Sequence, residues 1–330
     1  MPTDQELSPA AAQPSPVPVV PGETRTRQDV VAALDVGGTS IKAGLVAADG
    51  TVLREARRPT GAEGGPDAVI DRILSFAGDL VASGTVRAVG IGVPGVVDGA
   101  AGIARYAANL GWRDVPLVQL LTDRLQLPVV LGHDVRLGAL AEARTGAGTG
   151  SDSVYFIAIG TGIAAGLVTA GQVENGATGQ AGEVGHLVVR PGGPLCGCGN
   201  HGCLEAIASA ARIGRAYLDA TGTEASARDV VDLMGAGDAV AQQVWDNAMD
   251  ALADALVAVT VLHDPGMIVI GGGLSLAGEL LTGPLVTAMT ARLTFRGPPP
   301  ITVTTLGDRA GLAGAALLAW EKLQQAEKEI

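Results

Sequence analysis

The chain is poor in several residue types, and each shortage excludes a class of protein. Only 3% of its 330 residues are aromatic, the net charge is −12, and lysine occurs at positions 42, 322 and 328 alone. The sequence has no run of Lys and Arg, which argues against a nucleic-acid or anionic-membrane surface because phosphate contacts need clustered cations. Its apolar stretches fall short of the ~20 residues that span a bilayer, and it has no signal-peptide pattern. These features predict a cytoplasmic protein that binds small molecules or other proteins.

Cysteine is also scarce, and all three cysteines lie in "PLCGCGNHGCLE", residues 194 to 205. Three cysteines within eight positions cannot form a disulfide framework, and such crowding in a reducing compartment indicates metal binding. Tetrahedral zinc takes four nitrogen or sulfur ligands, and Cys196, Cys198 and Cys203 supply three. His201 and His186 are both candidates for the fourth, and spacing alone does not choose between them. Because four protein ligands leave no position open for water, such a zinc would be structural.

Short apolar runs that end in glycine are abundant from Val30 onward, and they alternate with helical stretches, which predicts a mixed α/β fold. A length of 330 residues favours two lobes. Residues 1 to 28 are rich in Pro, Ala and polar residues without a sustained period, and they predict a disordered tail. Helices are predicted near 66–83, 114–126, 134–147, 203–219, 237–263, 275–293 and 310–328, with a late strand at 301–307.

An internal repeat is the most informative feature. "GTSIKAGLV" at 38–46 and "GTGIAAGLV" at 160–168 agree at seven of nine positions. Each follows a strand-like run and predicts a tight turn into a second strand. Two related lobes, each with one glycine-rich β-hairpin, are therefore expected.

The two hairpin turns are candidate phosphate-binding loops. Glycine lets backbone N–H groups approach phosphate oxygens, and Asp35 at the end of the preceding strand could hold Mg²⁺ through water. Neither turn is a Walker loop or a dinucleotide fingerprint. A third glycine cluster, Gly271, Gly272 and Gly273, follows a buried strand, where a ring or ribose could lie against bare backbone. The alternatives are plain connecting turns.

Several acidic and basic side chains are candidates for catalysis or binding. Asp134 lies between a predicted strand and helix, where it could accept the proton of an attacking hydroxyl or simply cap the helix. Glu183 and His186 lie three residues apart in a glycine-rich segment and could face one ligand. Glu205 stands early in a predicted helix, where a solvated first-turn Glu is the alternative. Lys42 has no assigned role, since the second repeat has alanine there.

Together these segments resemble the ROK sugar kinases and their repressor relatives, within the actin-like ATPase (ribonuclease H-like) fold. The matching segments are "LDVGGTSIKAGLV", "GIGVPGVVD", "NLGW", "HD", "IGTGIAAGLV", "GQAGEVGHLVV", "CGCGNHGCLE" and "IVIGGG", in family order. The resemblance implies a bilobal α/β kinase with a central cleft for ATP and sugar, and a last helix that returns to the first lobe. The expected division is a tail at 1–28, a small N-terminal lobe at 29–144 plus 311–330, and a large lobe with the zinc site at 145–310.

The resemblance also implies residue roles. Asp134 becomes the catalytic base that takes the proton of the sugar 6-hydroxyl before attack on the γ-phosphate. The phosphate loops are Asp35, Gly37, Gly38 and Thr39, and Gly160, Thr161 and Gly162. The sugar shell comprises Asn109, His133, Asp134, Glu183, His186 and Glu205. By the same resemblance His186 is the fourth zinc ligand with Cys196, Cys198 and Cys203, as well as a sugar contact.

One residue departs from the family pattern. Family kinases usually have Asn-Asp where this chain has His133 and Asp134. A carboxamide both donates and accepts hydrogen bonds, whereas a single nitrogen of a neutral imidazole does only one of these. The preferred sugar is therefore expected to differ from glucose at C3 or C4, and a 3-amino-3-deoxyglucose such as kanosamine is one candidate, with Glu183 as an acceptor for its ammonium group.

An ATP-dependent hexose kinase is the function that these residues favour. A sugar-responsive repressor would need a winged-helix module of roughly 60 to 80 residues before the first loop, where this sequence has a short Pro-rich segment. A non-catalytic sugar-binding protein would predict loss of Asp134 or Asp35, and both are present. An N-acetylmannosamine or N-acetylglucosamine kinase is the alternative within the family. The resemblance further implies ATP over polyphosphate, because of the cysteine segment, and a homodimer or higher homo-oligomer.

Overall fold

The computed structural model of the protein describes residues 29 to 328, so the predicted tail at 1–28 lies outside the described residues. No helix within this range combines the length and the apolar composition that crossing a bilayer requires. The elements of the first part, in chain order, are β1 (Val30–Val36), β2 (Ser40–Ala47), β3 (Val52–Pro59), α1 (Pro66–Val81), β4 (Val86–Val93), β5 (Val96–Asp98), β6 (Ile103–Ala107), β7 (Trp112–Val115), α2 (Leu117–Leu125), β8 (Val129–His133) and α3 (Asp134–Thr145).

The second part has fewer strands and more helices. Its elements are β9 (Ser153–Ile159), β10 (Ile163–Thr169), β11 (Gln172–Val173), α4 (Glu205–Ala208), α5 (Ala210–Thr221), α6 (Ala227–Gly235), α7 (Ala239–His263), β12 (Met267–Gly271), α8 (Glu279–Arg292), β13 (Ile301–Val303) and α9 (Ala310–Lys328). Short 3₁₀ turns connect several of these elements, at Ala62–Gly64, Ala108–Leu110, Val184–His186, Gly273–Ala277 and Gly307–Arg309.

Two five-stranded sheets share one topology. The first has the order β3-β2-β1-β4-β8 and the second β11-β10-β9-β12-β13. In each sheet the opening hairpin is antiparallel and the two later strands run parallel to its first strand. The two copies of the repeat occupy the same turn and the same second strand in their sheets, which confirms the prediction of two related lobes. A separate three-stranded sheet has the order β5-β6-β7.

Helices cover both faces of the first sheet, which explains why β1 is apolar at almost every position. Ala32 and Leu34 pack with Ile73 of α1 on one face. Val31 on the other face packs with Leu312 of α9. Helix α9, the last of the chain, lies on β1 and β4 and packs along α3, and α3 also contacts β9 and β10 of the second sheet. Helix α3 therefore joins the two sheets.

The sequence predicts a single helix at 203–219, and this prediction is wrong, because the structure has two helices there, α4 and α5. Ser209 adopts an extended conformation between α4 and α5, and its hydroxyl caps α5 by accepting from Arg212 N–H. Helix α6 was not predicted, although Ser226 and Asp229 form a capping box at its start. The late strand ends at Val303; Thr304 N–H still donates to Ile270 O of β12 at 2.9 Å, and its hydroxyl donates to the buried Glu142.

Candidate functional site

The first turn joins β1 to β2 and holds a buried carboxylate. The turn closes with a hydrogen bond from Gly37 N–H to Ser40 O at 2.9 Å, and the Thr60 hydroxyl donates to Gly37 O at 2.6 Å. Asp35 precedes the turn, and Lys42 Nζ lies 3.4 Å from Asp35 Oδ2. Burial raises the pKa of Asp35 to about 6, the charge of Asp134 adds to this rise, and Lys42 opposes it. Asp35 is the cross-strand partner of Gly92 in β4, and a Cβ at Gly92 would lie 3.3 Å from Asp134 Cα, so Asp35 and Asp134 lie in one site.

Asp134 is the first residue of α3, as the sequence predicts. Its Oδ1 accepts from Val135 N–H at 2.7 Å, so the carboxylate caps its own helix while remaining at the cleft. Burial raises the pKa of Asp134 to about 6, although this hydrogen bond and the charge of Arg136 both favour the ionised form. A carboxylate with this pKa is mainly ionised at neutral pH and is basic enough to accept a proton from a reacting hydroxyl.

His133 is buried, with 6% of its surface exposed, and its ring nitrogens have different partners. Nδ1 lies 3.2 Å from Val135 N, and Nε2 lies 4.0 Å from Glu183 Oε1. Burial lowers the pKa of His133 to about 4, and Arg136 lowers it further. The ring is therefore neutral at pH 7 and carries one proton, either on Nδ1, which lies 3.1 Å from Asp134 Oδ1, or on Nε2, which faces Glu183. In both tautomers His133 has one donor and one acceptor nitrogen.

Asn109 lies against the first turn, which the sequence did not predict from the residues alone. It is the middle residue of the 3₁₀ turn Ala108–Leu110. A Cβ at Gly38 would come within 3.0 Å of Asn109 Nδ2, so glycine at this position lets the amide approach the turn. Thr39 is held from the other side, where its carbonyl accepts from Thr60 N–H at 2.9 Å.

The second turn, between β9 and β10, is bound by Glu205. Gly160 N–H donates to Gly162 O at 2.9 Å, and Ile163 N–H donates to Glu205 Oε2 at 2.8 Å. A Cβ at Gly162 would lie 2.6 Å from that oxygen. Glu205 was predicted as a sugar contact or a solvated helix residue. The structure places one of its carboxylate oxygens on the backbone of the second turn.

In the third glycine cluster, packing requires glycine at two of the three positions but not at the third. A Cβ at Gly271 would lie 2.4 Å from the Phe156 ring, and one at Gly272 would lie 2.4 Å from Ile159 O. Gly272 also has a positive φ of 76°. Packing against β9 therefore accounts for glycine at these two positions. Only Gly273 has open space around its Cβ position, so it is the position where a ligand could lie on bare backbone.

A cavity beside the second turn was missed by the sequence analysis. Its volume is about 730 Å³, and Thr161 is the one residue of the second turn that lines it. The other walls come from α5, α6 and the segment between them, and include Ala211, Gly214, Leu218 and Ser226. The walls also include Arg215, Glu224 and Asp229, and no motif in the sequence marks these positions as a site. The cavity is large enough for a nucleoside and opens next to a candidate phosphate loop.

Four side chains converge as a candidate metal centre: His186, Cys196, Cys198 and Cys203, whose ligand atoms all lie within 4.8 Å of one another. Cys198 Sγ is 3.7 Å from Cys203 Sγ, and Cys196 Sγ is 3.7 Å from His186 Nδ1. A tetrahedron with Zn–S bonds of about 2.3 Å has edges of about 3.8 Å between sulfurs, so the residues fit zinc. His201 Nδ1 instead lies 3.1 Å from Gly193 O, outside this group.

The chain is similar to proteins of one family along nearly its whole length. The model of the ROK family matches residues 31–322. A glucokinase from Thermotoga maritima is 36% identical over 88% of this chain and 97% of its own length. An N-acetylmannosamine kinase from Shigella flexneri is 34% identical over 88% of this chain and 98% of its own length.

A solved structure has the same fold. The crystal structure of a ROK family glucokinase from Streptomyces griseus in complex with glucose and AMPPNP superposes with a TM-score of 0.79 at 32% identity. The superposition covers 88% of this chain and 99% of that one. The matched fold confirms the bilobal, actin-like α/β architecture that the sequence resemblance implies.

Proposed function

Because the chain belongs to the ROK family, we propose that it is an ATP-dependent sugar kinase acting on the 6-hydroxyl of glucose or a close analogue. The observation that carries this proposal is the meeting of Asp35 and Asp134 in one site, each at the end of a strand and each with its pKa raised to about 6. One carboxylate stands beside a candidate phosphate loop and the other is free to act as a base. This is the pair of groups that phosphoryl transfer to a hydroxyl requires.

In the proposed reaction Asp134 accepts the proton of the sugar 6-hydroxyl. The hydroxyl oxygen then forms a bond to the γ-phosphorus of ATP, and the bond from that phosphorus to the oxygen bridging to the β-phosphorus breaks. ADP leaves with that oxygen, and the sugar 6-phosphate keeps the transferred group. The N–H groups of the two turns, with the hydroxyls of Thr39 and Thr161, would bind the phosphates. The cavity next to Thr161 would hold the nucleoside.

The residues also fit Mg²⁺ as a cofactor. Magnesium in kinases is held by one or two carboxylates together with phosphate oxygens and water, and Asp35 supplies a carboxylate at the first turn. When bound, Mg²⁺ would neutralise charge on the transferred phosphate. Lys42 keeps Asp35 ionised and, through its contact with the Asp308 carbonyl, ties the first turn to the start of α9.

The sugar would lie between Asp134 and the zinc segment, contacted by Asn109, His133, Glu183, His186 and Glu205. If His186 Nδ1 binds zinc, its Nε2 carries the proton and donates to a sugar hydroxyl. Glu205 has one carboxylate oxygen on Ile163 N–H and the other available for the sugar. A structural zinc would supply a rigid tetrahedral anchor that fixes His186 and the start of α4.

The arrangement of His133 favours a hydroxyl over an ammonium group on the sugar carbon that it faces. We assign the proton of His133 to Nε2, with Nδ1 accepting from Val135 N–H; Nε2–H is then a donor, an ammonium group is donor-only, and the two would repel unless Glu183 separates them. Glucose or a hexose of the same C3 pattern is therefore the proposed substrate. N-acetylmannosamine is the second candidate, because the kinase of that name is 34% identical to this chain.

An ADP-release assay tests the proposal. The panel contains glucose, mannose, N-acetylmannosamine, N-acetylglucosamine, fructose and kanosamine, each with ATP or polyphosphate, and Asp134→Asn is the blank. We expect ATP-dependent turnover that is highest with glucose. No turnover above the blank with any sugar would refute the kinase proposal. Light scattering of the same preparation tests the expected homodimer or higher homo-oligomer.

A further inference from the structure

A second polar cavity lies next to the candidate site and is not used by the proposed reaction. Its volume is about 580 Å³, and its walls come from β5, β8, α3, α9 and the segment 172–179. His133 is the one proposed sugar residue among its lining residues, whereas Asp134, Glu183 and Asn109 do not line it. The cavity is thus a neighbour of the cleft and separate from it.

Three arginines line this cavity, and two of them are neutralised by carboxylates. Arg105 forms ion pairs with Asp98 at 2.8 Å and with Asp114 at 3.3 Å. Arg144 forms an ion pair with Glu321 and donates to a backbone carbonyl. In these three ion pairs, carboxylates neutralise the charges of Arg105 and Arg144.

Arg136 is the third arginine, and its charge is not neutralised by a contact. No carboxylate of residues 29–328 lies within ion-pair distance of its guanidinium, and its one acceptor in that range is Ala181 O, at 2.9 Å from Nη1. The residue is 3% exposed, and Nε is buried without a hydrogen-bond partner. Burial lowers the pKa of the guanidinium, as expected for a desolvated cation, while the more distant charges of Glu183 and Asp134 oppose that change.

A buried cation without a direct counter-ion is costly to the folded protein. Charged groups inside proteins are normally paired, and a guanidinium can donate two parallel hydrogen bonds to a carboxylate or a phosphate. The protein carries a net charge of −12, so a lone buried cation beside a cavity is unusual in this chain. Nε is closed to the cavity, so an anion there would reach Arg136 through Nη2 and supply the acceptor that this nitrogen lacks.

The rest of the lining indicates the class of anion. Leu131, Leu137 and Leu140 form an apolar wall on one side, and Leu318 of α9 extends it. Inorganic phosphate would leave this wall in water, whereas an organic acid would cover it with its hydrocarbon part. We propose that the cavity binds a small organic carboxylate, with its carboxylate on Arg136 and its apolar body against the leucines of α3 and α9.

Calorimetric titration of the full chain with benzoate tests this inference, with benzamide as the uncharged isostere and inorganic phosphate as the anion without an apolar body. We expect benzoate to bind with a dissociation constant in the millimolar range and to bind at least tenfold more tightly than either control. Because the site is outside the cleft, saturating glucose should not abolish benzoate binding. This readout does not depend on turnover, so it separates the inference from the proposed kinase activity.

Four variants identify the residues responsible. Arg136→Gln should weaken benzoate binding at least tenfold, and Arg136→Lys should restore part of it. Arg105→Gln is the matched control, since it removes a lining guanidinium that is already paired, and it should change binding less than threefold. Ala177→Trp, at an exposed lining position, should block the cavity without altering the buried charge.

Several outcomes would overturn the inference. Equal binding of benzoate and benzamide would show that Arg136 does not select an anion. Retention of benzoate binding in both Arg136→Gln and Ala177→Trp, or complete competition by glucose, would place the ligand elsewhere. Absence of benzoate binding to the wild type would refute the carboxylate site itself.

Discussion

Lys42 and Asp35 are direct cross-strand partners in the first hairpin, and Lys42 Nζ lies 3.4 Å from Asp35 Oδ2. The two side chains are 17% and 13% exposed, so water and salt screen this ion pair less than one on the surface. The sequence left Lys42 without a role, because the second repeat has alanine at the equivalent position. In the second hairpin Ala164 pairs with Ala158, so no acidic residue there needs a partner.

The first prediction concerns Lys42→Met. Lys42 holds down the pKa of Asp35, so its loss should raise that pKa further above about 6. The ionised fraction of Asp35 then falls most at low pH, and kcat/KM should drop roughly fivefold or more at pH 6 but less than twofold at pH 8. Full pH profiles of the wild type, Lys42→Met and Lys42→Arg check this. An equal loss at both pH values would assign Lys42 to substrate binding instead.

The second prediction is that Asp134→Asn stabilises the protein while inactivating it. Burial raises the folded-state pKa of Asp134 to about 6 from the model-peptide value of 3.8, so the folded state binds this proton more tightly than the unfolded state. Wild-type stability therefore falls as pH rises from about 4 to about 6. Asparagine removes this cost and should gain up to about 3 kcal/mol above pH 6.

Denaturant unfolding at pH 5 and pH 8 measures the effect. The gain from Asp134→Asn should be larger at pH 8, and kcat should fall by about 10² to 10⁴. Asp219→Asn, which changes an exposed carboxylate of α5, is the control and should show the same small difference at both pH values. A loss of stability at pH 8 in Asp134→Asn would contradict the assigned cost of burying this carboxylate.

The sequence located both hairpins and the helices at 237–263 and 310–328 closely, but it merged α4 with α5 and missed α6 and the sheet β5-β6-β7. The repeat located both hairpins because a glycine-rich turn and an apolar strand have strong local signals. Ser209 was not recognised as a break, because its extended conformation depends on its position between the second turn and α5, where Ala210 N–H donates to Gly160 O at 2.9 Å. That contact depends on the tertiary fold, so no local sequence pattern predicts it.

The sequence predicted which residues form the candidate site, but only some of the contacts between them. Asp134 begins α3 as expected, and the four zinc-ligand candidates converge. The bond from Ile163 N–H to Glu205 was not foreseen, because it joins residues 42 positions apart. The sequence also did not predict that His133 and Arg136 are buried, because their burial depends on segments that are distant in the sequence.

The third prediction concerns metal removal. If zinc holds His186 in place, Cys198→Ser or treatment with a chelator should raise KM for glucose about tenfold or more and lower the melting temperature. The KM for ATP should change less than threefold, because the turns that bind phosphate lie outside the zinc segment. Metal analysis of the purified protein should give one zinc per chain. An unchanged KM for glucose in zinc-free protein would contradict the structural role.

Arg190 joins the zinc segment to helix α7 of the second part. Its guanidinium binds Asp250 and Asp254 of α7, each at 2.5 Å, and its backbone carbonyl accepts from Gly193 N–H at 2.8 Å. Arg292 of α8 binds the same two carboxylates from the other side, with Nε 2.7 Å from Asp254. The two arginines share their partners, but only Arg190 belongs to the segment between His186 and the cysteines.

The fourth prediction compares Arg190→Gln with Arg292→Gln. Both should lower stability by a similar amount, because each removes one arginine from the same carboxylate pair. Only Arg190→Gln should loosen the zinc segment, so it should speed zinc loss to a chelator severalfold and raise KM for glucose. Arg292→Gln serves as the matched control and should leave both values near those of the wild type. Equal zinc loss from the two variants would show that Arg190 has no specific role in positioning the segment.

The fifth prediction tests the proposed tautomer of His133, in which Nδ1 accepts from Val135 N–H and Nε2–H faces Glu183. Asparagine would offer both a donor and an acceptor there. His133→Asn should therefore accept a 3-ammonium group better, raising the ratio of kcat/KM for kanosamine to that for glucose about tenfold. Because burial lowers the pKa of His133 to about 4, the wild-type ratio should be governed by a neutral ring throughout pH 6 to 8. A steep change in the sugar preference of the wild type that is absent from His133→Asn would show that His133 titrates in this range and would refute the neutral donor.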